Sequence, residues 1–169
     1  MDIPLLAQAY SERLQRRDNS SVGEIWEILD SVKDPEIPVI SIWDLGVLTD
    51  VKKTADKIEV IITPTYSGCP AMDVIRSDIE VVLRNAGIEN FIIKTKLSPA
   101  WSTDMMSPEG KARLQDYGIA PPQQSCGPVI CPNCKSVNTQ KISEFGSTAC
   151  KSLHQCNDCS EPFDYFKNI

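Results

Sequence analysis

Two short cysteine pairs, Cys131-Pro132-Asn133-Cys134 and Cys156-Asn157-Asp158-Cys159, constrain what this chain can fold into more than any other feature. They stand 21 residues apart in a terminal stretch, residues 125–169, that is rich in cysteine and poor in aliphatics. So short a segment cannot bury enough apolar surface to fold unaided, and metal binding can supply the missing free energy. Each pair can deliver two thiolates to one tetrahedral Zn²⁺, so a four-cysteine zinc ribbon is expected. The same sulfurs would also suit iron or an iron–sulfur cluster, although no residue here selects that. Four protein ligands leave no open position, which makes the metal structural rather than catalytic. Cys126, Cys150 and His154 fall outside the set. Each could substitute as a ligand, and His154, two positions before Cys156, is expected at the surface.

Seven cysteines in 169 residues could suggest a disulfide framework, but the number is odd and four of them are already spoken for by the two pairs. The start, Met1-Asp2-Ile3-Pro4-Leu5-Leu6, lacks the basic opening and long apolar core of a signal peptide. No apolar run approaches the roughly 20 residues of a membrane span, so a cytoplasmic protein without a membrane partner is expected. A net charge of −6 argues against nucleic acid as a partner. Within the ribbon, Lys135, Lys141, Lys151 and Lys167 are balanced by Glu144, Asp158, Glu161 and Asp164, so no basic footprint appears there either.

The remaining chain reads as an N-terminal helix or arm (residues 1–20), an α/β domain (21–100), a helix with a Pro-rich linker (101–124) and the ribbon (125–169). Residues 4–17 have helical spacing, and whether that helix docks on the domain or on a partner stays open. Ser21 to Glu24 reads as a capping box opening a helix that must end before Asp34-Pro35. Strands are expected at Val47 to Lys52, at 58–63 and from Phe91 to Leu97, with a helix over Met72 to Ala86 stopped by Gly87. The order helix-strand-strand-helix-strand gives an α+β fold with a small mixed sheet. Between the second strand and its helix lies Thr63-Pro64-Thr65-Tyr66-Ser67-Gly68-Cys69-Pro70. Pro70 suits the first helical position, which makes Cys69 the expected N-cap, its thiolate favoured by unpaired N–H groups and the helix dipole. Thr63 and Thr65, two apart, are expected to share a face near Cys69. Asp34 and Glu36 would join them if their loop folds against the strand end, unless they merely cap backbone N–H groups.

Asp34-Pro35-Glu36-Ile37-Pro38, Asp44-Leu45-Gly46 and Thr63-x-Thr65-x-x-Gly68-Cys69-Pro70 together resemble the signature of the iron–sulfur assembly domain family, over about residues 22–100. Pro99 to Asp104, Tyr117 to Pro122, Phe145-Gly146-Ser147-Thr148-x-Cys150-Lys151 and Cys159-x-Glu161 through Lys167 resemble the phenylacetate-degradation PaaD family. The ending Lys167-Asn168-Ile169 departs from relatives that carry further cysteine or histidine there. The resemblance implies an accessory subunit of the phenylacetyl-CoA oxygenase (1,2-epoxidase) system. In that system a diiron subunit inserts oxygen, and a reductase with flavin and a [2Fe–2S] cluster supplies electrons. The implied role is assembly or maintenance of iron cofactors in those partners. Cys69 would be the reactive thiol holding iron or a cluster transiently, with Asp34, Glu36, Thr63 and Thr65 lining its pocket. Two other readings remain: a non-catalytic scaffold, and a cysteine-dependent enzyme acting through Cys69. The latter lacks a neighbouring histidine to serve as base.

Overall fold

The computed structural model describes residues 7–123 and 127–169, so Cys126 lies outside the described residues. The chain divides into two units, with the boundary in sequence between Ser107 and Pro108. In the first, α1 (Gln8–Asp18), α2 (Gly23–Leu29) and α3 (Ile42–Leu45) precede β1 (Leu48–Thr54) and β2 (Lys57–Ile62). Then follow α4 (Ala71–Asn85), β3 (Phe91–Thr95) and a single 3-10 turn, Thr103–Met105. The sheet order is β1-β2-β3, with β2 antiparallel to β1 and parallel to β3, so the expected small mixed sheet is present. A parallel step needs a crossover, and α4 provides it.

The central place of β2 explains a departure from simple alternation. Ile58 through Ile62 are all buried, because both faces of this strand are covered. Glu59, a carboxylate in that run, is matched by Lys94 at 2.5 Å and Lys52 at 3.5 Å from the two flanking strands. Helix α4 turns one stripe inward, Ala71, Ile75, Ile79 and Leu83, and packs against α2. It ends as its glycine predicts. Gly87 is left-handed (φ +78°), the Ile88 N–H donates to Leu83 O and the Gly87 N–H to Arg84 O, which satisfies carbonyls the last turn leaves open.

One local expectation is corrected, and one question the sequence left open is answered. No capping box opens α2: its N-cap is Val22, with no side-chain cap, and the Ser20 hydroxyl accepts the Val22 N–H instead. Helix α1, whose docking the sequence left open, is tied to its own domain by Arg13, which is 1% exposed. The Arg13 guanidinium donates to Leu48 O at 2.8 Å, to Trp43 O at 2.7 Å and to Met105 O, and lies 4.1 Å over the Trp43 ring. Trp43 in turn meets Trp26 edge-on, with ring centres 5.4 Å apart. Gly46 ends α3 in the left-handed region (φ +90°), and a Cβ there would come within 2.8 Å of Met105 Cβ. Only glycine meets both demands.

The second unit holds α5 (Pro108–Asp116), β4 (Ile119–Ala120), β5 (Thr139–Ser143), β6 (Lys151–Cys156) and β7 (Pro162–Phe166). Its sheet order is β4-β7-β6-β5. Ile119 and Ala120, at the edge of the stretch read as helix and linker, are buried and pair in parallel with Asp164 and Tyr165. One apolar cluster of this unit gathers Ala120, Cys131, Cys156 and Phe163, and Leu114, Ile119 and Phe166 are buried as well.

Candidate functional site

Two sulfur sites emerge, one in each unit. In the ribbon, the Sγ atoms of Cys131, Cys134, Cys156 and Cys159 all lie within 4.8 Å of one another. Cys131 and Cys159 are 3.7 Å apart, and Cys134 and Cys156 3.5 Å. Zn–S bonds of about 2.3 Å in a tetrahedron put sulfurs about 3.8 Å apart, so the residues present fit a zinc ion. The two knuckles are built alike. Each is followed by a residue in the left-handed region, Lys135 (φ +65°) and Ser160 (φ +64°). The Cys131 N–H donates to Ser136 O, and the Cys156 N–H to Glu161 O. The electrostatics of the bare sulfurs also call for a cation. Backbone N–H groups of Cys159 and Asp158 hold the Cys156 thiol down at about 7. At Cys134 the Ser136 N–H favours the thiolate, but desolvation and the three neighbouring sulfurs outweigh it and push the thiol up to about 12. Thiolates held this close repel one another, and a positive ion between them removes that repulsion.

His154 is not at the surface as expected. It is 5% exposed, its Nε2 lies 3.0 Å from the Ser152 hydroxyl, and its ring stacks on Phe163. Burial holds it below the usual imidazole range. Cys150 is buried, with Sγ 3.0 Å from the Thr148 hydroxyl. Neither belongs to the metal group, which among the described residues consists of the four paired cysteines alone.

The second site is Cys69, in the turn from β2 to α4. Gly68 takes the left-handed conformation (φ +86°) that swings the chain toward the helix. The N-cap is Pro70, so Cys69 sits one position further out than expected. Its thiol nonetheless reaches the helix start, accepting a hydrogen bond from the Ala71 N–H, and it also bonds Thr65. The expected lowering of the thiol does not follow. Desolvation is the largest influence and, with the charges of Glu36 and Asp34, raises Cys69 above the usual thiol range against those two hydrogen bonds. The charges of Glu36 and Asp34 thus reach the thiol and Thr65 bonds it, with Thr65 buried and Cys69 half-buried. Asp34 also has the local role the alternative reading gave it: its Oδ1 accepts the N–H groups of Glu36 and Ile37 at 2.8 and 2.9 Å. Thr63 goes elsewhere. Strand β2 ends at Ile62, so the alternation that would have paired it with Thr65 no longer holds, and Thr63 lines a cavity beside α1. Among the described residues the acids and Cys69 do not form a group as tight as the ribbon cysteines.

A direct consequence concerns reactivity, since the thiolate is the nucleophile. Peptide-resolved iodoacetamide labelling at pH 8 is expected to modify Cys69 more slowly than free cysteine, with the rate still climbing past pH 9. Glu36→Gln removes one of the raising charges and is expected to speed labelling at pH 8. A Cys69 rate matching free cysteine, unmoved by Glu36→Gln, would contradict this electrostatic account.

Comparison with known proteins bears on both sites. Residues 121–167 match the family model of the PaaD zinc beta ribbon domain, and residues 23–89 that of the iron-sulfur cluster assembly protein. A putative 1,2-phenylacetyl-CoA epoxidase component from Escherichia coli is 45% identical, covering 94% of this chain and 99% of that protein. An Fe-S protein maturation auxiliary factor of Porphyromonas gingivalis is 37% identical over 54% of this chain and 88% of its own length. Among solved structures, a domain of unknown function from Bacillus anthracis superimposes with a TM-score of 0.51 at 28% identity, covering 54% of this chain and 89% of that one.

Proposed function

Because the chain belongs to the PaaD family of 1,2-phenylacetyl-CoA epoxidase components, we propose that it is an accessory subunit that helps iron or iron–sulfur cofactors into the partners of that system. The observation that carries this reading is the half-buried Cys69 thiol, bonded to Thr65 and the start of α4 and reached by the charges of Glu36 and Asp34. A soft thiol beside two carboxylates suits a ferrous ion or cluster as cargo. The raised thiol keeps its proton until a cation arrives, and the cation's charge then expels that proton. Because Asp34, Glu36 and Cys69 are not drawn into a tight chelate, the cargo completes its coordination with ligands from the receiving partner. An open ligand set of this kind supports transient holding rather than storage. The ribbon, with its resident zinc, would be a rigid docking module and takes no part in the transfer. The partners in this reading are the diiron oxygenase subunit or the flavin/[2Fe–2S] reductase, and the compartment is the cytoplasm.

Co-production with the oxygenase subunits and reductase tests it. Cys69→Ser is expected to leave this chain folded while the partners are recovered short of iron. Partners with full iron would end the cofactor-assembly reading and leave a scaffold role.

A further inference from the structure

The first unit also encloses a cavity of about 550 Å³ between α1, the β1–β2 face and the segment around the 3-10 turn. Its buried lining residues are Arg13, Ile61, Thr63 and Met105. Two of these are polar groups whose capacity is not used up. Thr63 is 3% exposed, and its hydroxyl makes no hydrogen bond among the described residues. Arg13 is bonded to backbone carbonyls and pairs with no carboxylate among the described residues. The acid whose field reaches it, Asp44, is itself hydrogen-bonded to Ser41 and Ser107. Burial accordingly pulls the Arg13 pKa down to about 9. The exposed or half-exposed rim carries both signs, Arg16 and Lys96 against Glu12, Asp50 and Asp104, so it does not decide the charge of an occupant. The buried cation does. A buried guanidinium bonded only to neutral carbonyls is stabilised by an anion brought into the same low-dielectric space. Ala9, Pro99 and Ala100 add apolar surface to that of Ile61 and Met105, interrupted by the small hydroxyls of Thr49, Ser98 and Ser102.

We propose that this cavity binds a small amphipathic monocarboxylate, its head toward Arg13 and Thr63 and its apolar body along Ile61 and Met105. The volume falls in the range that encloses small organic ligands. The site is separate from Cys69 and stands or falls independently of the cofactor-assembly reading.

Titration of the full, zinc-loaded chain by NMR tests it, with hexanoate and phenylacetate as the acids and hexanamide as the neutral control. Both acids are expected to saturate at millimolar concentrations, shifting Ile61 and Met105 methyl signals, and hexanamide to bind about tenfold more weakly, the difference a charged head makes. Thr63→Val is expected to weaken hexanoate about fivefold or more while leaving hexanamide unchanged. Thr63→Ser, which keeps the hydroxyl, should retain wild-type binding and guards against a folding defect in the valine variant. Failure of both acids to saturate by about 20 mM overturns the proposal. So does hexanamide binding equal to that of hexanoate, or indifference to Thr63→Val.

Discussion

Replacing Cys156 with serine, or withdrawing the metal with a chelator, is expected to unfold the ribbon unit. One apolar cluster of that unit is Ala120 and Phe163 with two of the four cysteines themselves, Cys131 and Cys156, both fully buried. Without the ion, the sulfurs have nothing to offset their mutual repulsion when ionised, and the knuckles lose the atom that joins β6 to the Cys131–Cys134 turn. Structural zinc contributes on the order of 10–16 kcal/mol in comparable small modules, as much as the whole stability of an ordinary domain. Hydrogen exchange reads the result. Amides of β6 and β7 should lose protection on chelation, while those of β2 and α4 keep theirs. Ribbon strands still protected at the wild-type level without zinc would contradict the account.

The second large effect is expected in the other unit. Arg13→Ala removes the side-chain donors of the buried Leu48 and Met105 carbonyls, while Trp43 O keeps the Gly46 N–H. Each unsatisfied buried acceptor costs about 1–3 kcal/mol, so a loss of about 2–6 kcal/mol is expected from these two. The ring contact with Trp43 goes as well. Arg13→Lys keeps the charge but replaces a planar fork by a single ammonium that cannot serve the same carbonyls at once, and should recover only part of the loss. Urea unfolding followed by tryptophan fluorescence measures both, because Trp26 and Trp43 sit at this junction. A loss below about 1 kcal/mol for Arg13→Ala would show that α1 contributes little to the domain.

The architecture was legible where periodicity and spacing carry it. Ile75, Ile79 and Leu83 announce the inner stripe of α4, Gly87 its end, and the two cysteine pairs the metal group. Features that depend on distant carbonyls were not. Arg13 reads in sequence as one more polar residue of an amphipathic helix, since its acceptors lie 30, 35 and 92 positions away. His154 looked exposed because it stands in a charged, cysteine-rich strand, but Phe163 and Tyr165 on the neighbouring strand enclose its ring. At Cys69 the sequence correctly placed a thiol near a helix start and mistook the sign of the result. Dipole and hydrogen bonds are read from local order, whereas desolvation depends on tertiary packing and the two acids come from a loop more than 30 residues earlier. Thr63 was assigned to that pocket by a strand rule that ceases to apply one residue before it.

The central proposal is that this chain carries two distinct sulfur sites, one in each unit: a closed one for resident zinc and an open one for passing iron. Zinc and iron stoichiometry after anaerobic equilibrium dialysis against ferrous iron, wild type beside Cys69→Ser, tests it most directly. The account predicts one zinc per chain in both proteins and bound iron in the wild type alone. Equal iron in the two proteins, or none in either, would contradict it.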